Sequence, residues 1–388
     1  MTDQFPDCSS ETLAWLESLI ACPTVSGSHS NLELLAQAES FLRKIGFAVR
    51  YTYSEDRKRA NLYASLGGSV GGILLSGHTD VVPVAGQDWT RDPFRLTDEG
   101  ERLYGRGACD MKGFLACVLA TVGRLGSGRL TQPVHIALTY DEEIGCVGVR
   151  GLLADLRQHG IRPSACIVGE PTRMEVVRAH KGRHAWRCNI RGRAEHSSLS
   201  GMGVNAAETA CVLAAEVAAQ AQALQSATRD EGFYVPFSTM AVCRVHSGHA
   251  SNVIPEEAEF DFDLRFLPGV DPDAVLAPIH QRARELEQTM RQRVSESQVL
   301  LMQRTSVPAL VPKADTDILV EALFRAGALA GGHVAYTTEG GLYQQAGIPA
   351  LVCGPGDIAQ AHTADEYILR SQLGMCESVL ERLLAGGP

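Results

Sequence analysis

The chain has 388 residues, of which 45% are apolar and 21% charged, the proportions of a globular protein long enough to bury a sizeable core. Its formal net charge is -10. With no long basic run and no interleaving of aromatic and basic residues, that charge argues against nucleic acid as a partner and suits a small cationic or zwitterionic substrate.

The opening segment MTDQFPDCSSETLAWLESLI carries Asp3, Asp7 and Glu11 where a secretory signal would carry a basic region. The apolar run at 114–122 is too short to span a bilayer, so no membrane partner is expected. The 11 cysteines lack close paired spacing. In a chain this long they predict reduced thiols and a cytoplasmic location. Helical spacing of apolar residues predicts helices over 11–20 and 31–45, the second stopping at Gly46. Segments 49–54 and 61–66 read as strands. GGILLSGHTD at 71–80 is an apolar strand that ends in polar, ionisable residues. A helix follows over 111–125, closing near Gly126. PVHIALTYDEE at 133–143 and SACIVGEPT at 164–172 are two more apolar strands that end in acids. Strands alternating with helices predict an α/β fold with a central, mainly parallel sheet. In such sheets ligands bind at the carboxyl ends of the strands, where these acids and His78 lie.

After about residue 183 the character changes. Segment 184–193 alternates like a strand with one wet face. An alanine-rich helix over 203–224, strands in FSTMAVCRVH and EAEFDFDLRF, and a helix over 272–292 follow. This pattern predicts a small α+β domain inserted at 183–295 into a discontinuous domain made of 1–182 and 296–388. The closing part supplies a helix near 315–329, the strand PALVCG at 349–354 and a helix over 364–386.

The ionisable residues at the strand ends carry the chemistry. His78 and Asp80 are two apart in GHTDVVP, and a metal-bound histidine needs a partner on its other ring nitrogen, a role open to Asp80. Alone, His78 reads equally as a histidine bonded within a turn. Asp110, in GRGACDMKG, either caps the following helix or shares its two oxygens between two ions. TYDEEIG places Asp141, Glu142 and Glu143 side by side. Three acids at a crevice mouth repel one another and call for cations. One glutamate can bind metal while its neighbour holds the attacking water as a general base. GEPT adds Glu170, and His362 sits in a Gly/Pro-rich loop before the last helix. Two histidines and four carboxylates suit ions such as zinc, and two ions about 3.5–4 Å apart are a usual arrangement for hydrolysis.

The strings GHTDVVP, GRGACDMKG, DEEIG, GEPT, RGRAEHSS and AHTADEYI, in that order, resemble the motifs of the M20 family of metallopeptidases over about residues 10–385. The resemblance implies a zinc-peptidase-like catalytic domain whose inserted domain serves as a lid and forms a homodimer. It implies two divalent ions, zinc first, with cobalt and manganese tolerated. His78 and Glu170 would bind one, Glu143 and His362 the other, with Asp110 bridging. Glu142 would be the general base, Asp80 the support of His78, and His196 the group that reaches the substrate carbonyl. The cysteine in GRGACDMKGF, DFDLRFLPG with Arg265, and TEGGLYQQAGIPALVCGPGDIAQAHTADEYI point within the family to hydrolysis of N2-acetyl-L-ornithine. The stretch SGHASNVIPEEAEF at 247–260 looks more like the wider family. Desuccinylation of succinyl-diaminopimelate and general N-acyl-amino-acid or carboxypeptidase activity therefore stay open, as does a non-catalytic scaffold on the same fold. Arg265 and Asn252 are candidates for the substrate carboxylate, and Gly340 and Gly341 for close backbone approach.

Overall fold

The computed structural model describes residues 7–386. They form two compact units. The first comprises the chain up to Ala179, Leu310–His333 and the part from Thr338 onward, and the second comprises His180–Ala309 with Val334–Thr337.

The first unit is built on a six-stranded sheet in the order Ala48–Tyr53, Ala60–Leu66, Val134–Thr139, Ile73–His78, Ala165–Val168, Ala350–Val352. The last four strands run parallel and the first two pair antiparallel. All four parallel strands are buried at every residue, as expected of strands with both faces covered. Helix Lys112–Arg129 packs on one face beside Ser10–Ile20 and Arg370–Ala385, and its regular path breaks at Gly126 (φ 57°, ψ 179°). On the other face lie helices Val147–Gln158 and Gly340–Gln345. Gly77 lets the first of these layers approach the sheet next to His78: a Cβ there would lie 2.7 Å from both Leu115 and Met111. Gly354 lets two strand ends approach each other closely: a Cβ there would meet the Gly169 carbonyl at 2.0 Å. Because the four strands are parallel, their carboxyl ends open on one edge, and the site is built there.

The second unit is a βαββαβ arrangement. Its four strands are antiparallel in the order Thr239–Ser247, Glu257–Phe266, Gly182–Arg191, Gln298–Val307. Strict alternation along Glu257–Phe266 sends Phe260, Phe262 and Leu264 into a core with Leu213, Val217, Leu276 and Ile279, which lie on helices Ala206–Leu224 and Pro272–Arg291. The intervening Asp261 and Asp263 pair with Arg187 and Arg183 on the opposite face.

Three features depart from the sequence expectation. The second unit runs to Ala309 rather than 295, because Gln298–Val307 completes its sheet; a register shift between Gln303 and Thr305 interrupts the alternation that would have marked this strand. The expected helix over 364–386 begins at Arg370. Asp365 takes φ 52°, and Tyr367–Leu369 pairs with Arg102–Tyr104 instead. Helices Val147–Gln158 and Gly340–Gln345 are additional to the expected elements. Among the described residues no helix is long and apolar enough to cross a membrane.

Candidate metal centre

Three carboxyl-terminal strand ends and two loops of the first unit bring the ligand candidates together. His78 closes its strand and is buried. Its Nε2 lies 2.9 Å from Asp110 Oδ1 and 3.7 Å from Glu170 Oε1. The other oxygen of Asp110 is 3.2 Å from His362 Nε2, which is also 3.0 Å from Glu143 Oε1. Two triads result, His78–Asp110–Glu170 and Asp110–Glu143–His362, each with donor atoms within 4.8 Å of one another. One aspartate thus turns an oxygen toward each imidazole. Imidazole nitrogen mixed with carboxylate oxygen is a donor set for zinc-like divalent ions, so the residues present fit two of them.

Glu142 belongs to neither triad. Its carboxylate is largely buried, and Oε1 accepts from Cys146 Sγ at 3.2 Å. Its position comes from the turn after strand Val134–Thr139, where its backbone N–H donates to Asp80 Oδ1 at 3.1 Å and its carbonyl accepts from Gly145 and Cys146. Asp80 faces His78 with two groups, its main-chain carbonyl and its carboxylate. His78 Nδ1 bonds the Asp80 main-chain carbonyl at 2.8 Å, whereas the carboxylate is 3.7 Å away. That carboxylate instead accepts from Ser26 Oγ and from the backbone of Glu142 and Glu143. It holds the Glu142–Glu143 turn against the end of the neighbouring strand.

Burial and crowding govern the protonation of the cluster. Burial, with help from Glu143 and Glu339, pushes Glu142 up to about 8. Burial also raises Glu143 and Glu170, each reinforced by Asp110. Asp110 goes the other way: burial works against its charge, but hydrogen bonds from His362 and His78 hold it well below the usual carboxylate range. Hydrogen bonds to Asp110 and Glu143 lift His362 to about 10. His78 is raised too, against its burial, by Asp110 and Glu170. Protons on these imidazoles and carboxylates are what divalent ions displace on binding.

Two acids missed by the sequence reading complete the surroundings. Glu339 is buried immediately before helix Gly340–Gln345, where Oε2 accepts from Ser76 Oγ at 3.3 Å, and burial pushes it up to about 7. In the sequence it stands in TEGG, directly before Gly340 and Gly341. Glu366 is buried against Arg106 at 2.7 Å and accepts from the backbone N–H groups of Gly107, Cys109 and Asp110, so it shapes the turn that presents Asp110. Within AHTADEYI it stands four residues after His362, in a segment that reads as helix.

Gly340 and Gly341 are enclosed in the first turn of their helix, and so do not offer an open backbone edge. The remaining three candidates lie in the second unit. His196 is exposed, with Nδ1 2.7 Å from Ser198 Oγ. Asn252 is exposed and its carbonyl accepts from Ser197 N–H. Arg265 donates to Asp263 at 2.7 Å and to Thr337 Oγ1 at 3.1 Å.

Residues 74–386 match the model of "Peptidase family M20/M25/M40". Among curated relatives, an acetylornithine deacetylase of Edwardsiella ictaluri (strain 93-146) is 32% identical, covering 96% of each chain. One of Klebsiella pneumoniae (strain 342) is 35% identical over 90% of this chain and 91% of its own. Among solved structures, an M20 family metallo-carboxypeptidase of Sulfolobus solfataricus has the same fold, with a TM-score of 0.77, 18% identity and coverage of 97% and 99%. A dinuclear metal binding peptidase of the same family, from Bacillus subtilis, gives a TM-score of 0.63 at 17% identity over 96% of each chain.

Proposed function

The chain belongs to peptidase family M20/M25/M40 and is an amide-bond hydrolase; from that premise we propose that it removes the acetyl group of N2-acetyl-L-ornithine, giving L-ornithine and acetate in arginine biosynthesis. The observation that carries the reaction type is the pair of triads sharing Asp110, with Glu142 beside them and outside both. Relatives named acetylornithine deacetylase, matched over nearly their whole length, support the substrate. His78 and Glu170 would hold one divalent ion, Glu143 and His362 the other, and Asp110 both, with zinc first and cobalt or manganese accepted.

Ions held by these residues would supply Lewis acidity to the scissile carbonyl and to a water near neutral pH. Glu142 takes the proton of the attacking water and passes it to the leaving amine. Because Glu142 stands beside both triads and belongs to neither, its carboxylate is free for both halves of that transfer. Asp80 orients the base by fixing the backbone of its turn. The same reading gives His196 the developing oxyanion and gives Arg265 and Asn252 the substrate carboxylate. It also takes the second unit as a lid through which two copies pair, and the enzyme as cytoplasmic.

Steady-state hydrolysis of N2-acetyl-L-ornithine and N-succinyl-diaminopimelate by metal-replete protein tests the substrate. The expected outcome is a kcat/KM for the acetylated substrate at least tenfold higher. A preference for the succinylated one would transfer the assignment to desuccinylation.

A further inference from the structure

His362 differs from the other ligand candidates in how it is held. Its side chain is 48% exposed, against 1% for His78, and its backbone takes φ 60°. A non-glycine residue in that region is disfavoured and persists when its surroundings hold it there. Gln87 supplies part of the hold: its Nε2 donates to the His362 main-chain carbonyl at 2.8 Å.

The amide of Gln87 is itself oriented. Oε1 accepts from Trp89 Nε1 at 3.0 Å and from Arg106, which leaves Nε2 to face His362. Arg106 is buried beneath the Trp89 ring, 5.0 Å from its centroid, and pairs with Glu366. Glu366 in turn receives the backbone N–H of Asp110 at 3.0 Å. One run of hydrogen bonds thus joins the main chains of His362 and Asp110, two members of the same triad, through Gln87, Arg106 and Glu366. A second tie lies alongside, where Thr90 donates through N and Oγ1 to Asp365 at 3.0 and 2.7 Å.

We infer that Gln87 is a positioning residue that sets the affinity of the ion held by Asp110, Glu143 and His362. This rests on the two-ion reading of the site. Gln87 touches no ligand atom. It acts by fixing the backbone from which the His362 ring projects, whereas His78 and Glu170 stand at the ends of buried strands and lie outside the run of bonds that Gln87 begins.

The test uses full-length protein stripped by a chelator and titrated calorimetrically with zinc. Wild type should bind two ions per chain. Gln87→Ala should leave one binding step unchanged and weaken the other about 10–100-fold, the range usual for partners that orient ligands. Gln87→Glu keeps the acceptor for Trp89 and Arg106 but loses the donor to His362, and should show the same selective loss. In both variants saturating zinc should restore kcat, and in Gln87→Glu, which keeps the acceptor for Trp89 and Arg106, the melting temperature of the metal-free protein should stay at the wild-type value. Two unaltered binding steps in Gln87→Ala would overturn the inference, as would equal weakening of both steps with a lowered melting temperature. Wild type binding fewer than two ions would instead sink the two-ion reading, and the inference with it.

Discussion

Glu142→Ala lowers kcat by about 10²–10⁴-fold, the usual contribution of a general base, and leaves two divalent ions bound. The expectation follows from where the carboxylate sits. It belongs to neither triad, its oxygen bonds a thiol, and its turn is pinned by Asp80. Removing it takes away the proton carrier and keeps every donor of both triads. Metal content measured on the same sample as the rate separates this role from ligation. An inactive variant that had also lost an ion would make Glu142 a ligand and leave the reaction without its base.

Asp110→Ala has the other large effect, and on binding rather than on chemistry. Its oxygens lie 2.9 Å from His78 Nε2 and 3.2 Å from His362 Nε2, so a single substitution strips one donor from each triad. Zinc titration should show both binding steps weakened by more than about tenfold, and hydrolysis should fall below detection at zinc concentrations that saturate wild type. His78→Ala and His362→Ala should each weaken one step. If Asp110→Ala also weakened only one, the shared carboxylate would be an ordinary ligand of a single ion.

Much of this centre was legible in the chain, and the reason is physical. A parallel strand buried on both faces is mostly apolar, so a cluster of ionisable residues at its end stands out. His78, the Glu142–Glu143 pair and Glu170 all announce themselves in this way. His362 lies far from them in sequence and has no such strand; the likeness of AHTADEYI to a family motif placed it. Residues that act through backbone geometry left no comparable trace. Asp80 was legible as a partner of His78, yet its carboxylate serves the neighbouring turn, because the short path from His78 Nδ1 ends on the Asp80 carbonyl. Glu366 and Arg106 look like ordinary charged residues until the fold buries them against each other. Gln87 lies in a loop with no periodicity to read. The strand Gln298–Val307 is hidden by its own register shift, so the expected boundary of the second unit falls short of it.

The most direct test of the two-ion centre is to titrate chelator-stripped protein with zinc while following acetate release from N2-acetyl-L-ornithine. The account predicts no release before zinc is added, and activity that reaches its plateau at two equivalents per chain. Full activity in the presence of the chelator, or a plateau reached with no zinc bound, would contradict it.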